Sequence, residues 1–142
     1  MGKRELKDEI AGQIGETEFY RIIADSTYNW EYWQNPEGRF IYVTPSCREI
    51  TGYKPEEFTQ DQDLFFRIMH PRDRGQMRKH FEEDPSRRKL DVIEFRIRCR
   101  DGRLRWISHA CRKISDSEGN FLGWRGSSRD ITEEKRGQQE QA

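Results

Sequence analysis

The chain has 142 residues, 32% hydrophobic and 37% charged, with 26 Lys+Arg balancing 26 Asp+Glu for a formal net charge of zero. That length suits one domain, and the charge balance argues against nucleic-acid binding, which needs a basic surface. No apolar run approaches the roughly 20 residues of a membrane span, and Met1-Gly2-Lys3-Arg4-Glu5 leads into charge rather than a signal peptide.

The core must be lean, and 4 Trp, 5 Tyr and 8 Phe offset this because each buries a large area. Cys47, Cys99 and Cys111 are far apart and form no CxxC pair. They read as reduced, buried thiols of a cytoplasmic protein, although a membrane-anchored parent could present the domain there.

Glu5 to Ala24 is helical by pattern, with Leu6, Ile10 and Ile14 on a narrow apolar stripe and a break expected at Gly15. This helix is expected to cap the sheet, to dimerise, or both. Tyr28 to Gln34 alternates as a strand that puts Tyr28, Trp30 and Tyr32 on one face. Asn35-Pro36-Glu37-Gly38 is a turn, and Phe40 to Thr44 the return strand. Pro45 suits the first position of a short helix capped by Thr44. Asp63 to Met69 is a second short helix. A longer one opens at Pro71 and ends at Asp84-Pro85-Ser86, with Asp73 in its first turn and Met77 and Phe81 forming a buried stripe.

The stretch from Asp91 to Thr132 then reads as three strands. Ile93, Phe95, Ile97 and Cys99 alternate with charged residues, so one face is buried. Asp101-Gly102 favours a two-residue hairpin turn. Leu104 to Ile114 carries bulk on both faces, Asp116-Ser117-Glu118-Gly119-Asn120 is a polar turn, and Phe121 to Arg129 is the last strand. A charged helical pattern follows Thr132. The order β-β-α-α-α-β-β-β predicts an α+β domain, a five-stranded antiparallel sheet with short helices on one face.

These motifs resemble a PAS domain, the sensory module of bacterial signalling proteins. FIYVTPSCREITGYKPEEF (Phe40 to Phe58) is similar to the family's strand–helix stretch with its Thr51-Gly52-Tyr53 turn. FFRIMHPRDR (Phe65 to Arg74) resembles its His-Pro-Asp-Asp motif, with Arg72 in place of the first Asp. The meander closing on Asp130-Ile131-Thr132 resembles the C-terminal PAC region and its junction to an output domain. The implied organisation is an N-terminal cap or dimerisation helix over 1–17, a PAS domain over 18–132 and the start of a linker helix over 133–142.

The sequence offers no catalytic constellation. It has no Gly-rich phosphate loop and no HExxH, and Ser108 and His109 point to opposite faces of one strand. No metal site is expected, because His70, His80 and His109 fall on different elements, with His70 a helix cap and His80 at most half-buried. The resemblance implies that a haem-binding histidine would lie near Met77, and His80 falls about one turn late. A flavin adduct would need a cysteine after the Thr-Gly-Tyr turn, where QDQDLFFRIM has none. No cofactor is expected, then: haem and flavin are disfavoured, and an unidentified small molecule is compatible.

The resemblance places a pocket between sheet and helices. Strand parity lines it with Trp30, Tyr32, Phe95, Ile97, Ile107, His109, Cys111, Trp124, Gly126 and Ser128, joined by Cys47 and Ile50 from the first helix. Gly126 is expected to leave space beside Trp124, while His109 and Ser128 supply polar handles. The alternative is an ordinary filled core. The outer face carries Trp33, Ile41, Val43, Trp106 and Ala110 by parity, which predicts a homodimer through that face and the N-terminal helix.

The function implied is a sensory and dimerisation module linked covalently to a sensor histidine kinase or a diguanylate cyclase, with no catalysis of its own. A small-molecule signal would pass through Asp130, Ile131 and Thr132. The competing readings are a closed-core protein–protein interaction domain and a haem- or flavin-bound redox sensor.

Overall fold

The computed structural model describes residues 6–82 and 92–141; the expected helix stop at Asp84-Pro85-Ser86 lies outside them. The chain opens with α1 (Leu6–Ile14) and α2 (Glu16–Asp25), separated at Gly15 as the pattern predicts. It continues through β1 (Trp30–Gln34), β2 (Phe40–Val43), α3 (Cys47–Thr51), α4 (Pro55–Gln60), α5 (Leu64–Ile68) and α6 (Pro71–Glu82). The second half is β3 (Ile93–Arg98), β4 (Leu104–Ser115), β5 (Phe121–Asp130) and α7 (Thr132–Gln141). The five strands form one antiparallel sheet in the order β2-β1-β5-β4-β3. The architecture is the expected α+β arrangement, with one helix more between β2 and β3 than the pattern showed, α4, whose Pro55 fills the first position.

Three hairpins share one geometry. Asn35 N donates to Arg39 O, Cys99 N to Arg103 O and Asp116 N to Asn120 O, at 2.8, 2.8 and 3.0 Å. In each the glycine at the third loop position, Gly38, Gly102 or Gly119, has a positive φ of 85 to 90°. These are three-residue loops, a turn closed by a left-handed glycine. The Asp101-Gly102 connection is therefore one residue longer than the two-residue turn expected from the pair itself.

The register of β1 on β2 slips at Trp33/Gln34, where Gln34 pairs with Phe40 and Trp33 with Tyr42. Ile41 is the extra residue, and one unpaired residue shifts the in–out alternation of the strand by one position. Phe40 and Val43 consequently both lie in the core while Ile41 is 55% exposed. Val43 is thus an inward residue and not part of the outer face. Tyr28 also departs from expectation: the strand starts at Trp30 and Tyr28 is 95% exposed. The Thr44 hydroxyl does not cap α3. It accepts from Glu31 N at 3.0 Å and meets Ser46 Oγ at 2.7 Å, which ties the end of β2 back to β1.

The packing of helices on sheet centres on Phe65 of α5. Its ring lies 5.4 to 6.4 Å, centroid to centroid, from those of Trp30, Tyr32, Phe40, Phe81, Phe95 and His109. Tilted and edge-on contacts at these distances are favourable for aromatic pairs. In α1 and α2, by contrast, no residue is buried, and Leu6, Ile10, Ile14, Ile22 and Ile23 are all exposed. These helices do not cap the sheet as expected. No helix among the described residues is long and apolar enough to cross a membrane.

The helical segment contacts both sheet edges, which would otherwise offer unpaired backbone to another strand. On β2, Gln62 Oε1 accepts from Phe40 N at 2.6 Å and its Nε2 donates to Phe40 O at 3.1 Å. On β3, His70 N donates to Arg96 O at 2.8 Å, and Asp73 Oδ2 accepts from Arg96 N at 2.8 Å. The same carboxylate takes a two-pronged contact from the Arg96 guanidinium, at 2.9 and 3.0 Å. The hydrogen bonds from Arg96 hold the Asp73 carboxyl below its ordinary value. A depressed folded-state pKa stabilises the fold above the unfolded value, about 3.9, and that contribution disappears as pH falls through the folded value. Asp73→Asn should therefore cost about 1–3 kcal/mol at neutral pH and flatten the acid limb of stability below roughly pH 4. Urea denaturation of both proteins between acid and neutral pH measures this.

Candidate functional site

Strand register assembles the site in rungs across the inner face of the sheet. Ile93, His109, Ser128 and Trp30 are neighbours on successive strands, and so are Cys111, Gly126, Tyr32 and Val43. His109 is fully buried, as the strand parity predicts. Its Nδ1 lies 2.9 Å from Ser128 Oγ along its own rung. Its Nε2 lies 3.0 Å from the hydroxyl of Tyr32. Tyr32 starts one rung away, and its ring is stacked parallel to the imidazole, with an interplanar angle of 11° at 5.6 Å.

Gly126 makes this reach possible. A Cβ there would stand 2.1 Å from Tyr32 Cζ and 2.6 Å from its hydroxyl. The bare backbone is the floor on which the tyrosine ring lies. The space Gly126 was expected to leave beside Trp124 is therefore taken up by Tyr32. Trp124, expected in the pocket wall, stands outside the main core cluster and packs edge-on against Phe121 at 4.7 Å.

Helix α6 contributes His80, which is 4% exposed, in contrast to the surface or half-buried position expected. Its Nε2 lies 2.9 Å from Cys111 Sγ, and its ring stands perpendicular to that of His109 at 6.0 Å. The sequence signal was available in the three-residue step from buried Met77, which puts both residues on one face of a helix. Phe65, the hub of the cluster, carried no signal beyond its hydrophobicity.

The remaining predicted lining residues, Phe95, Ile97, Ile107, Cys47 and Ile50, are all buried in the core cluster. The Cys47 thiol donates to Tyr53 O at 3.2 Å, and burial pushes its pKa up to about 12, so it is a poor nucleophile. Burial likewise raises Cys99, whose thiol donates to Ile50 O at 3.3 Å. The buried Trp30 Nε1–H, beside Phe58 and Phe65, has no hydrogen-bond partner.

A second group lies at the end of β5. Asp130 Oδ1 accepts from Thr132 N at 2.9 Å and from Thr132 Oγ1 at 2.5 Å. Thr132 Oγ1 in turn accepts from Trp106 N at 3.0 Å, and Ile131 N donates to Trp106 O at 2.9 Å. Ile131 is buried. Asp130 Oδ2 lies 3.3 Å from Arg105 Nη1, which also donates to Glu49 O and Ile50 O at the end of α3. Arg105, which no motif singled out, joins Asp130 to α3. On the outer face, Arg96 and Lys135 of α7 both lie over the Trp106 ring, at 5.1 and 4.8 Å, and Lys135 pairs with Glu94 at 2.6 Å.

The fold and site define a single-sheet α+β domain with a polar cluster buried between sheet and helices. Residues 40–128 match the PAS fold family, and the chain belongs to it. Curated relatives include the White collar 2 protein of Neurospora crassa, 32% identical over 81 residues, which are 56% of this chain and 15% of that protein. They also include the methyl sulfide methyltransferase-associated sensor of Methanosarcina acetivorans, 27% identical over 125 residues (84% of this chain, 12% of that protein). The blue light receptor lreA of Aspergillus flavus is 25% identical over 103 residues (72% and 12%). The chain spans only about 12–15% of the length of these relatives.

Among solved structures, a sensory box histidine kinase/response regulator from Burkholderia thailandensis superposes with a TM-score of 0.62 at 24% identity, over 84% of this chain and 89% of that one. The PAS domain of a Colwellia psychrerythraea protein gives 0.66 at 21% identity, over 83% and 99%. The N-terminal domain of a Marinobacter aquaeolei diguanylate cyclase with PAS/PAC sensor gives 0.62 at 20%, over 75% and 98%.

Gly126→Ala should displace the Tyr32 ring and break its contact with His109, at a cost of about 1–3 kcal/mol from overpacking. Tyr32→Phe, which removes only the hydroxyl, should leave the stacking in place. Thermal unfolding of the two variants separates the lost packing from the lost hydrogen bond.

Proposed function

We propose that this chain is a cytoplasmic sensory and dimerisation module of a longer signalling protein, with no catalysis of its own. Its covalently linked output would be a histidine kinase or a diguanylate cyclase, as in two of the proteins that share its fold. The observation that carries this reading is the hydrogen-bonded junction of Asp130, Arg105 and Thr132. Arg105 holds the carbonyls at the end of α3 while Asp130 holds the start of α7. A change on the inner face that shifts α3 or β5, as a small-molecule signal would cause, therefore acts on the base of α7 through rigid, short contacts. Thr132 leads α7, and Glu133 and Glu134 in its first turn suit the helix dipole.

Dimerisation is supported by the apolar side chains that α1 and α2 leave uncovered. Ile10, Ile14, Ile22 and Ile23 are 37 to 58% exposed and Leu6 is 81% exposed, and a second copy is the occupant that would bury them.

Two observations weigh against the flavin reading. The segment QDQDLFFRIM carries no cysteine to form an adduct, and the rings of Tyr32 and Phe65 pack against each other at 5.9 Å between sheet and helices. The same packing favours a second reading, a closed-core interaction domain that transmits partner binding without a small ligand. Native mass spectrometry of gently extracted protein distinguishes the two.

In a full-length parent, Asp130→Ala should leave the domain folded and abolish the stimulus-dependent change in effector activity. Unaltered regulation would mean that the signal leaves by another route. Ile10→Asp together with Ile23→Asp should convert a dimer to a monomer in light scattering, with unchanged circular dichroism.

A further inference from the structure

We propose that His80, His109 and Cys111 form a binding site for a borderline d-block dication of the zinc class. β4 supplies His109 and Cys111, two residues apart and therefore on one face of the sheet, and α6 lays His80 over them. The three ligand atoms all lie within 4.8 Å of one another, and all three residues are buried. Two imidazoles and a thiolate are a donor set that zinc and its neighbours accept, with a fourth position left for water or another oxygen.

The geometry needs only a small adjustment. Metal–nitrogen bonds of about 2.0–2.1 Å and a metal–sulfur bond of about 2.3 Å at a tetrahedral angle separate N from S by roughly 3.5 Å. His80 Nε2 and Cys111 Sγ now lie 2.9 Å apart, so the metal opens this contact by about half an ångström. The bond formed is metal–thiolate, and the thiol proton of Cys111 leaves to solvent.

His109 is already oriented as metal-bound histidines are, with its outer nitrogen held by an oxygen. Ser128 Oγ holds Nδ1 at 2.9 Å, so Nε2 turns to the metal. The Tyr32 hydroxyl, 3.0 Å from Nε2, is then released to the fourth position or to a bound water. Without metal the same groups satisfy one another by hydrogen bonds, so the core is complete in both states. Binding would tie α6 to β4 through the metal in place of the direct His80–Cys111 contact.

This inference names a ligand for the cluster at the centre of the proposed sensory core and rests on that reading only for its use as a signal. Binding is measured on the isolated domain and regulation in the parent, so either can fail alone.

The domain is stripped with a chelator and titrated with Co²⁺. One equivalent should bind, with a sulfur-to-cobalt charge-transfer band in the near ultraviolet that Zn²⁺ abolishes by displacement. Cys111→Ser should remove the band and Cys47→Ser should keep it. Ser128→Ala should keep the band and weaken binding by about 10–100-fold. A variant-free readout guards against misfolding: Zn²⁺ should shift the ring-nitrogen NMR signals of His80 and His109 and leave those of His70 in place. Absence of a stoichiometric band, its persistence in folded Cys111→Ser protein, or a shift confined to His70 overturns the proposal.

Discussion

The ring of Tyr32 lies across the bare backbone of Gly126, and most of the interior depends on that contact. Only a glycine lets the ring come this close to β5, with a hypothetical Cβ 2.1 Å from Tyr32 Cζ. From that position the hydroxyl reaches across β5 to His109 on β4, and the ring meets Phe40 and Phe65 in edge contacts. Phe65 then carries the packing from sheet to helices. A polar residue in the middle of an aromatic core is tolerated because both imidazole nitrogens have partners, which removes the cost of burying them.

The periphery follows a different physical rule. The sheet's outermost strands are blocked by side chains of the helical segment, Gln62 on β2 and Asp73 on β3, rather than by further strands. Docking the helices and protecting the edges are thus one event: the chain that covers the inner face also satisfies the edge backbone. The Asp130 junction repeats the device, with one carboxylate serving α7 through Thr132 and α3 through Arg105. Contacts of charged groups to backbone and to each other are stronger than neutral ones when partly buried, which suits a junction that must hold its geometry.

The core's filling bears on the proposed sensory role. The chain matches segments of proteins with names as different as a blue light receptor and a methyl sulfide methyltransferase-associated sensor, and a fold by itself selects no function. In this chain the inner face is occupied by aromatic rings and one buried His–His–Cys group. A stimulus that acts there must rearrange existing contacts, and the residues best placed to exchange partners are the titratable and metal-ligating ones.

Much of this was legible in the residues. Alternation at Ile93, Phe95 and Ile97, and at Ile107, His109 and Cys111, gave the buried face of two strands, because side chains in a strand alternate regardless of what they meet. Gly15, Pro71 and Asp130-Ile131-Thr132 marked real boundaries, because they act through local backbone geometry and hydrogen bonding. Tertiary structure decided the rest. The extra residue at Ile41 reverses the parity that put Val43 outside, and only pairing with β1 reveals it. Met77 marked the buried face of α6, but how far that face extends round the helix to His80 depends on what it packs against. The meeting of His80 with His109 and Cys111 needs strand parity, helix rotation and helix position to agree at once. The order of strands and the place of the helices were written in local patterns; the chemistry at the centre came from contacts between residues 19 to 77 positions apart, which no local pattern encodes.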